Sequence, residues 1–198
     1  MTTWMTERWV EPYGFGAHAS ALLWLVSANE VTEQEIVDVI SAGARAAGDD
    51  TLPDPVVAIL GSTDRPTILR ELENLSLDGN TSAAGEVLLC WLATSELPPR
   101  VLGASAAPVI RLLGTGHPVY HELAVVDEMH DPETSTSEAE GDLNVLEAFR
   151  RACAAVGAAD ESLALQRRIQ AASVPARTPR RGIVRWLRER RRGQSNSQ

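Results

Sequence analysis

Apolar residues recur at helical spacing through most of the chain, and helix start and stop signals divide them into segments. Residues 17–28 are apolar on every side, which predicts a helix buried in the body. Thr32 followed by Glu35 is a capping-box signature and opens a helix that ends at Gly48. The other predicted helices span about 64–79, 81–97, 105–113, 118–131, 143–156 and 160–172.

Local signals place several of these helix ends. Pro98 and Pro99 are expected to stop the helix that starts near Thr81. Ser105 is expected to be the N-cap of the next helix, and Gly114 suits the left-handed position that ends it.

Three segments have a less clear pattern. Residues 56–61 fit either a buried strand or a helical turn, and their neighbours favour a helix. Residues 14–19, GFGAHA, have the glycine spacing of a dinucleotide-binding loop, but no strand precedes them, so we interpret them as a flexible hinge. Residues 131–142 lack large hydrophobic side chains and predict an acidic loop.

No alternating run of useful length occurs in the chain, so the pattern predicts an all-α fold. We expect a compact bundle of about eight helices over residues 1–172, which begins with a Trp-rich segment, 1–16. Residues 173–198 would form a separate Arg-rich C-terminal arm that is disordered or helical only when bound.

The charge is divided between these two parts. Residues 173–198 contain eight arginines and one glutamate, a net charge of +7, so the total of −9 leaves −16 on residues 1–172. The sequence therefore describes an acidic body with a basic arm.

Composition excludes some chemistry. Every basic residue is arginine, which fits a GC-rich bacterial genome and excludes P-loop and Schiff-base mechanisms, since both need a lysine. Cys90 and Cys153 lack metal-binding spacing and are expected to be buried free thiols. The acidic N-terminus and the short apolar runs resemble neither a secretory signal nor a membrane span, so we expect a cytoplasmic protein.

Candidate enzymatic sites are weak. His117 and His121 are four residues apart, as in zinc-binding helices, but the glutamate of the HExxH motif is missing and His130 would lie on another face. Ser105 in GASAA resembles a degraded nucleophile elbow, although its parallel sheet is not predicted. Metal-dependent or serine-dependent hydrolysis is the last-ranked alternative, and no cofactor is expected.

Two features suggest binding. Trp4 and Trp9 belong to an aromatic-rich N-terminus, which either covers the bundle or docks on a partner. In the arm, Trp186 lies among arginines that would hold an acidic partner; those we expect to bind are Arg180, Arg181, Arg185, Arg188, Arg190, Arg191 and Arg192.

These features lead to a functional hypothesis. A protein partner or self-association ranks first, nucleic acid bound through the arm second, and a membrane surface last, because the acidic body opposes polyanions. We therefore expect a non-catalytic adaptor, inhibitor or assembly subunit, with a nucleic-acid-associated regulator as the alternative.

Overall fold

The structure, a computed structural model, describes residues 9–28, 31–48, 52–129 and 138–173. These residues form ten helices and no strand, so the predicted all-α fold is confirmed. The helices are α1 (Phe15–Ser27), α2 (Glu33–Ala47), α3 (Asp54–Leu60), α4 (Arg65–Ser76), α5 (Thr81–Thr94), α6 (Pro99–Ala104), α7 (Ala106–Leu113), α8 (Tyr120–Met129), α9 (Glu138–Ala155) and α10 (Ala159–Ser173). The ambiguous segment 56–61 is helical, as its neighbours suggested.

Several helix ends form as their local sequence predicts. The Thr32 side chain accepts a hydrogen bond from the backbone N–H of Glu35, whose carboxylate bonds back to the Thr32 backbone, which completes the capping box of α2. Asp64 caps α4 by accepting from the Thr67 backbone N–H. Gly114 ends α7 with a φ of 77°, a conformation that favours glycine.

The expectations for Pro99, for residues 14–19 and for residues 131–142 are wrong. Pro99 does not end a helix but opens α6, because the first turn of a helix needs no backbone N–H from that residue. Residues 15–19 are not a hinge but the first turns of α1, in which Gly16 permits close packing. The acidic segment 131–142 is not a loop throughout, because α9 already begins at Glu138; residues 130–137 lie outside the described part.

The core is built around α5, which is buried along most of its length. Helices α1, α7, α9 and α10 pack against it, and α8 fills the space between α7 and α9. Trp91 on α5 and Phe149 on α9 are the two largest fully buried side chains. Burying large aromatic side chains is among the strongest contributions to a helical core.

Arg168 connects α10 to the end of α5. Its guanidinium donates to the backbone oxygens of Ser95 at 2.9 Å and Leu97 at 2.5 Å. Ser95 is the C-cap of α5 and Leu97 lies in the loop after it, where backbone carbonyls have no partner within a helix, so this side chain satisfies both and ties α10 to that loop. This connection matters because the first turn of α10 forms one wall of the cleft described below.

Two glycines let α1 approach the turn between α4 and α5. A Cβ added at Gly79 would lie 2.5 Å from the backbone oxygen of Gly16, and one added at Gly16 would lie 2.9 Å from the Gly79 Cα. The backbones are therefore in direct contact, with no room for a methyl group on either side.

Within the described ranges, no helix combines the length and the apolar character needed to cross a membrane.

We predict that Gly79→Ala lowers the free energy of unfolding by about 1–3 kcal/mol, because the methyl group would collide with backbone that cannot rotate away. Gly116→Ala is the matched control, since a Cβ there meets nothing within 4 Å and should change stability by less than about 0.5 kcal/mol. Urea unfolding followed by circular dichroism measures both. Equal stability of the two variants would contradict the contact.

Candidate binding cleft

The segment before α1 folds back onto the body through Trp9. Its indole stacks on the His18 ring, with ring centroids 3.8 Å apart and planes 6° from parallel. The indole also contacts the Phe15 ring, with ring centroids 4.8 Å apart. On α2, Gly43 makes room for the indole, because a Cβ there would lie 2.3 Å from the Trp9 ring. Trp9 thus lies against the bundle, whereas Trp4 lies outside the described residues.

His18 holds this segment in place from inside the core. Its side chain is fully buried, Nε2 accepts a hydrogen bond from the Val10 backbone N–H at 3.1 Å, and Nδ1 donates to the Gly14 carbonyl at 2.9 Å. Burial lowers the pKa of His18 from 6.5 to about 4, so the ring is neutral at physiological pH. Both ring nitrogens are engaged with backbone, and neither is available for a metal or for proton transfer.

A second network holds the other end of the segment. Glu86 on α5 accepts a hydrogen bond from the Tyr13 hydroxyl at 2.5 Å through one oxygen, and its other oxygen lies 2.7 Å from His117 Nε2. His117 Nδ1 accepts from the Val119 backbone N–H at 3.3 Å, so Nε2 carries the proton that it shares with Glu86. Burial and the neighbouring Glu86 raise the pKa of Tyr13, which keeps its hydroxyl a donor. The Glu86 carboxylate on α5 therefore connects Tyr13, before α1, with His117, before α8.

These two networks position one wall of a cleft of about 520 Å³. Residues 9–13 form this wall, residues 156–161 at the turn into α10 form a second wall, and Cys90 also lines the cleft. Half-buried Trp9 and Tyr13 supply aromatic surface. Three carboxylates also line the cleft, those of Glu11, Asp160 and Glu161, and in the part of the chain that is described no basic side chain lines it.

Cys90 and Cys153 are buried and form no disulfide, as the sequence predicted. Burial raises the pKa of the Cys153 thiol. A thiol with a raised pKa is a poor nucleophile, because the thiolate is the reactive form. Cys153 therefore contributes packing rather than reactivity.

The enzymatic candidates do not assemble into one site. His121 is exposed on α8 with its ring against Tyr120, whereas His117 is half-buried beside Glu86. Within the described ranges, no group of three or more His, Cys, Asp or Glu side chains is arranged to hold a metal ion.

The hydroxyl of Ser105, the candidate nucleophile, makes a hydrogen bond to the backbone. Ser105 lies at the N-cap position of α7, as predicted, but its side chain makes no capping bond there. The hydroxyl instead donates to the Val101 carbonyl at 3.0 Å, within the last turn of α6.

The remaining candidates lie outside the described residues. These are His130 and all the arm residues from Arg180 to Arg192, including Trp186.

Sequence reasoning missed the cleft and the side chains that build it, although two signals were present. Glu86 is the sole charged residue of α5, and His18 is the sole ionisable residue of α1. An ionisable side chain inside an apolar helix needs a hydrogen-bonding partner, so each of them marked a tertiary contact. Their partners were not evident, since Tyr13 and Glu86 are 73 positions apart.

Comparisons of the chain with protein-family models, with curated proteins and with solved structures found no match.

The pKa of His18 predicts a pH-dependent stability. Folding lowers this pKa from 6.5 to about 4, so the unfolded chain takes up a proton at a pH where the folded chain does not. The stability that the neutral His18 ring contributes to the fold is fully present above pH 6.5 and is lost as the pH falls toward 4. The total loss in the free energy of unfolding is about 3 kcal/mol. Urea unfolding at a series of pH values measures it.

The His18→Phe variant keeps an aromatic ring but cannot titrate or hydrogen-bond. We expect lower stability at pH 7 and a shallower decline between pH 6.5 and 4 than in the parent chain, whereas His121→Gln on the exposed face of α8 should keep the parent slope. The same slope in all three chains would contradict the assignment. A ¹⁵N NMR titration of the His18 ring in the folded parent chain gives an independent test. A midpoint near 6.5 would also contradict the assignment.

Proposed function

We propose that this protein is a non-catalytic interaction protein: an adaptor, an inhibitor or an assembly subunit. The observation that carries the proposal is an aromatic cleft with three carboxylates on a body of charge −16, in a chain that ends in an arm of charge +7. Such segregated charge favours association with oppositely charged protein surfaces and accelerates encounter with them.

The polar side chains of the body support a binding role rather than catalysis. The nitrogens of His18 and His117 and the hydroxyl of Ser105 are engaged with backbone groups or with Glu86. A general base needs a free nitrogen or oxygen within hydrogen-bonding distance of the substrate, and a nucleophile needs such a base beside it. These groups serve as structural hydrogen-bond partners instead.

The cleft has the chemistry of a site for cationic side chains. Carboxylates bind guanidinium groups with two parallel hydrogen bonds, and the faces of Trp and Tyr attract cations. Trp9 and Tyr13 lie in the same wall as Glu11, so one cationic side chain can make both a carboxylate hydrogen bond and a cation–π contact there. Arginine is therefore the side chain that this cleft fits best.

The arm has the complementary chemistry, and an acidic protein surface is its first expected partner. Nucleic acid is the second, because Arg and Trp also bind phosphates and stacked bases. A cytoplasmic location is part of the proposal.

The test is affinity capture from an extract of the host cell, with nuclease treatment. The bait is the full chain, compared with Arg185→Gln/Arg188→Gln/Arg190→Gln/Arg191→Gln in the arm. We expect a stoichiometric protein on the parent chain and at least a tenfold loss on the arm variant, since each change removes a bidentate donor.

The matched control carries Arg45→Gln/Arg70→Gln/Arg100→Gln/Arg111→Gln, which makes the same charge change at exposed positions of the body and should retain the partner. Retention by all three baits would show that the arm is dispensable. Recovery of RNA or DNA that leaves with salt would replace the protein-partner hypothesis with the nucleic-acid one.

A further inference from the structure

We propose that the cleft between residues 9–13 and 156–161 is the docking site of the part of the C-terminal arm that follows α10, residues 174–198, whose arginine side chains occupy it until an acidic partner competes. The inference rests on the proposed function, because it names the first binding partner of the arm. The docking is autoinhibitory, because the arm blocks ligands from the cleft while the cleft blocks partners from the arm.

The lining of the cleft selects a guanidinium. Glu11 and Asp160 are exposed and line the same cleft from two different segments of the chain, so a cationic side chain that enters it meets carboxylates from both segments. Trp9 and Tyr13 are half-buried in the wall that carries Glu11, and planar guanidinium groups stack on such rings while their edges donate to carboxylates.

The local field also favours a cation. The cleft lies at the N-terminus of α10, where the helix dipole is equivalent to about half a positive charge. The exposed carboxylates of Asp160, in that first turn, and of Glu11 together outweigh the dipole. The dipole alone would attract an anion, so these carboxylates decide the sign of the ligand.

The arm begins close enough to reach the cleft. The cleft is at the start of α10 and the arm follows its end, so the two are separated by the length of a helix of 15 residues, about 22 Å at 1.5 Å per residue. An extended chain covers up to about 3.3–3.6 Å per residue, so seven residues beyond Ser173 suffice. Arg180 is the seventh residue after Ser173, and the cluster from Arg185 to Arg192 lies beyond this minimum.

Tethering makes the same chain the favoured source of arginine. The covalent link gives the arm an effective local concentration near the cleft that a separate molecule reaches only at about millimolar levels. Individually weak contacts between exposed charges are therefore sufficient for occupancy, and a multivalent acidic partner can displace them.

The experiment is limited proteolysis of the full chain with trypsin, which cleaves after arginine, followed by mass spectrometry of cleavage sites in the arm. The parent chain is compared with Glu11→Gln/Asp160→Asn, which neutralises both exposed walls, and with Glu73→Gln/Glu140→Gln, which makes the same charge change at exposed positions on α4 and α9. We expect arm cleavage to be at least fivefold faster in the cleft variant than in the parent and the control. Thermal unfolding confirms that all three chains are folded.

Equal cleavage rates in the three chains would overturn the proposal. Protection that grows with protein concentration between about 1 and 100 μM would assign the cleft to the arm of a second copy and would also overturn the same-chain assignment. A second measurement uses amide NMR shifts of Gly157 and Ala158, which should differ between the parent and Arg185→Gln/Arg188→Gln/Arg190→Gln/Arg191→Gln; unchanged shifts would count against docking.

Failure here is distinguishable from failure of the proposed function. An arm that captures a protein partner but shows no protection leaves the interaction function standing without autoinhibition. An arm that is protected but captures nothing retains the intramolecular site and removes the adaptor role.

Discussion

The buried His18 ring is the interaction on which the candidate site depends. A chain segment without regular structure has backbone groups with no partner in a helix or sheet, and water or a side chain must supply one. One ring serves two of them, since it accepts from the N–H of Val10 and donates to the carbonyl of Gly14, while its face carries Trp9. Without it, residues 9–12 would lose their contacts to the core and only Tyr13 would still tie the segment to the bundle through Glu86, so this wall of the cleft would be weakened.

Glu86 extends the same principle to the neighbouring helices. A carboxylate on the most buried helix is costly unless it is well hydrogen-bonded. Glu86 meets this cost through its hydrogen bonds with the hydroxyl of Tyr13 and the ring of His117, so one side chain fixes both the N-terminal segment and the turn before α8. Tyr13, Glu86 and His117 thus support the frame of the cleft, whereas the exposed carboxylates of Glu11 and Asp160 remain to meet a ligand.

Much of the fold could be predicted because helix signals are local. The capping box at Thr32 and the left-handed Gly114 depend on a few neighbouring residues, and both form as expected. Pro99 was misjudged because proline both ends and begins helices, and only packing decides between the two. Gly16 was misjudged because its role is to let the backbone at Gly79 approach, which the surrounding sequence does not reveal. The cleft could not be predicted for the same reason, since its walls come from segments more than 140 positions apart.

Opposite charges on one chain set a condition on any external partner. A cleft that attracts arginine also attracts the arginines tethered nearest to it, and tethering favours them over free competitors. A partner's apparent affinity for the arm is then reduced by the fraction of molecules in which the arm is undocked. The docked arm therefore discriminates between partners. A weakly acidic surface does not displace the arm from the cleft, whereas a surface that binds several arginines at once does. In the docking that we propose, an external partner must displace the arm from the cleft before it can bind, and the cleft carboxylates determine how strongly that partner must bind.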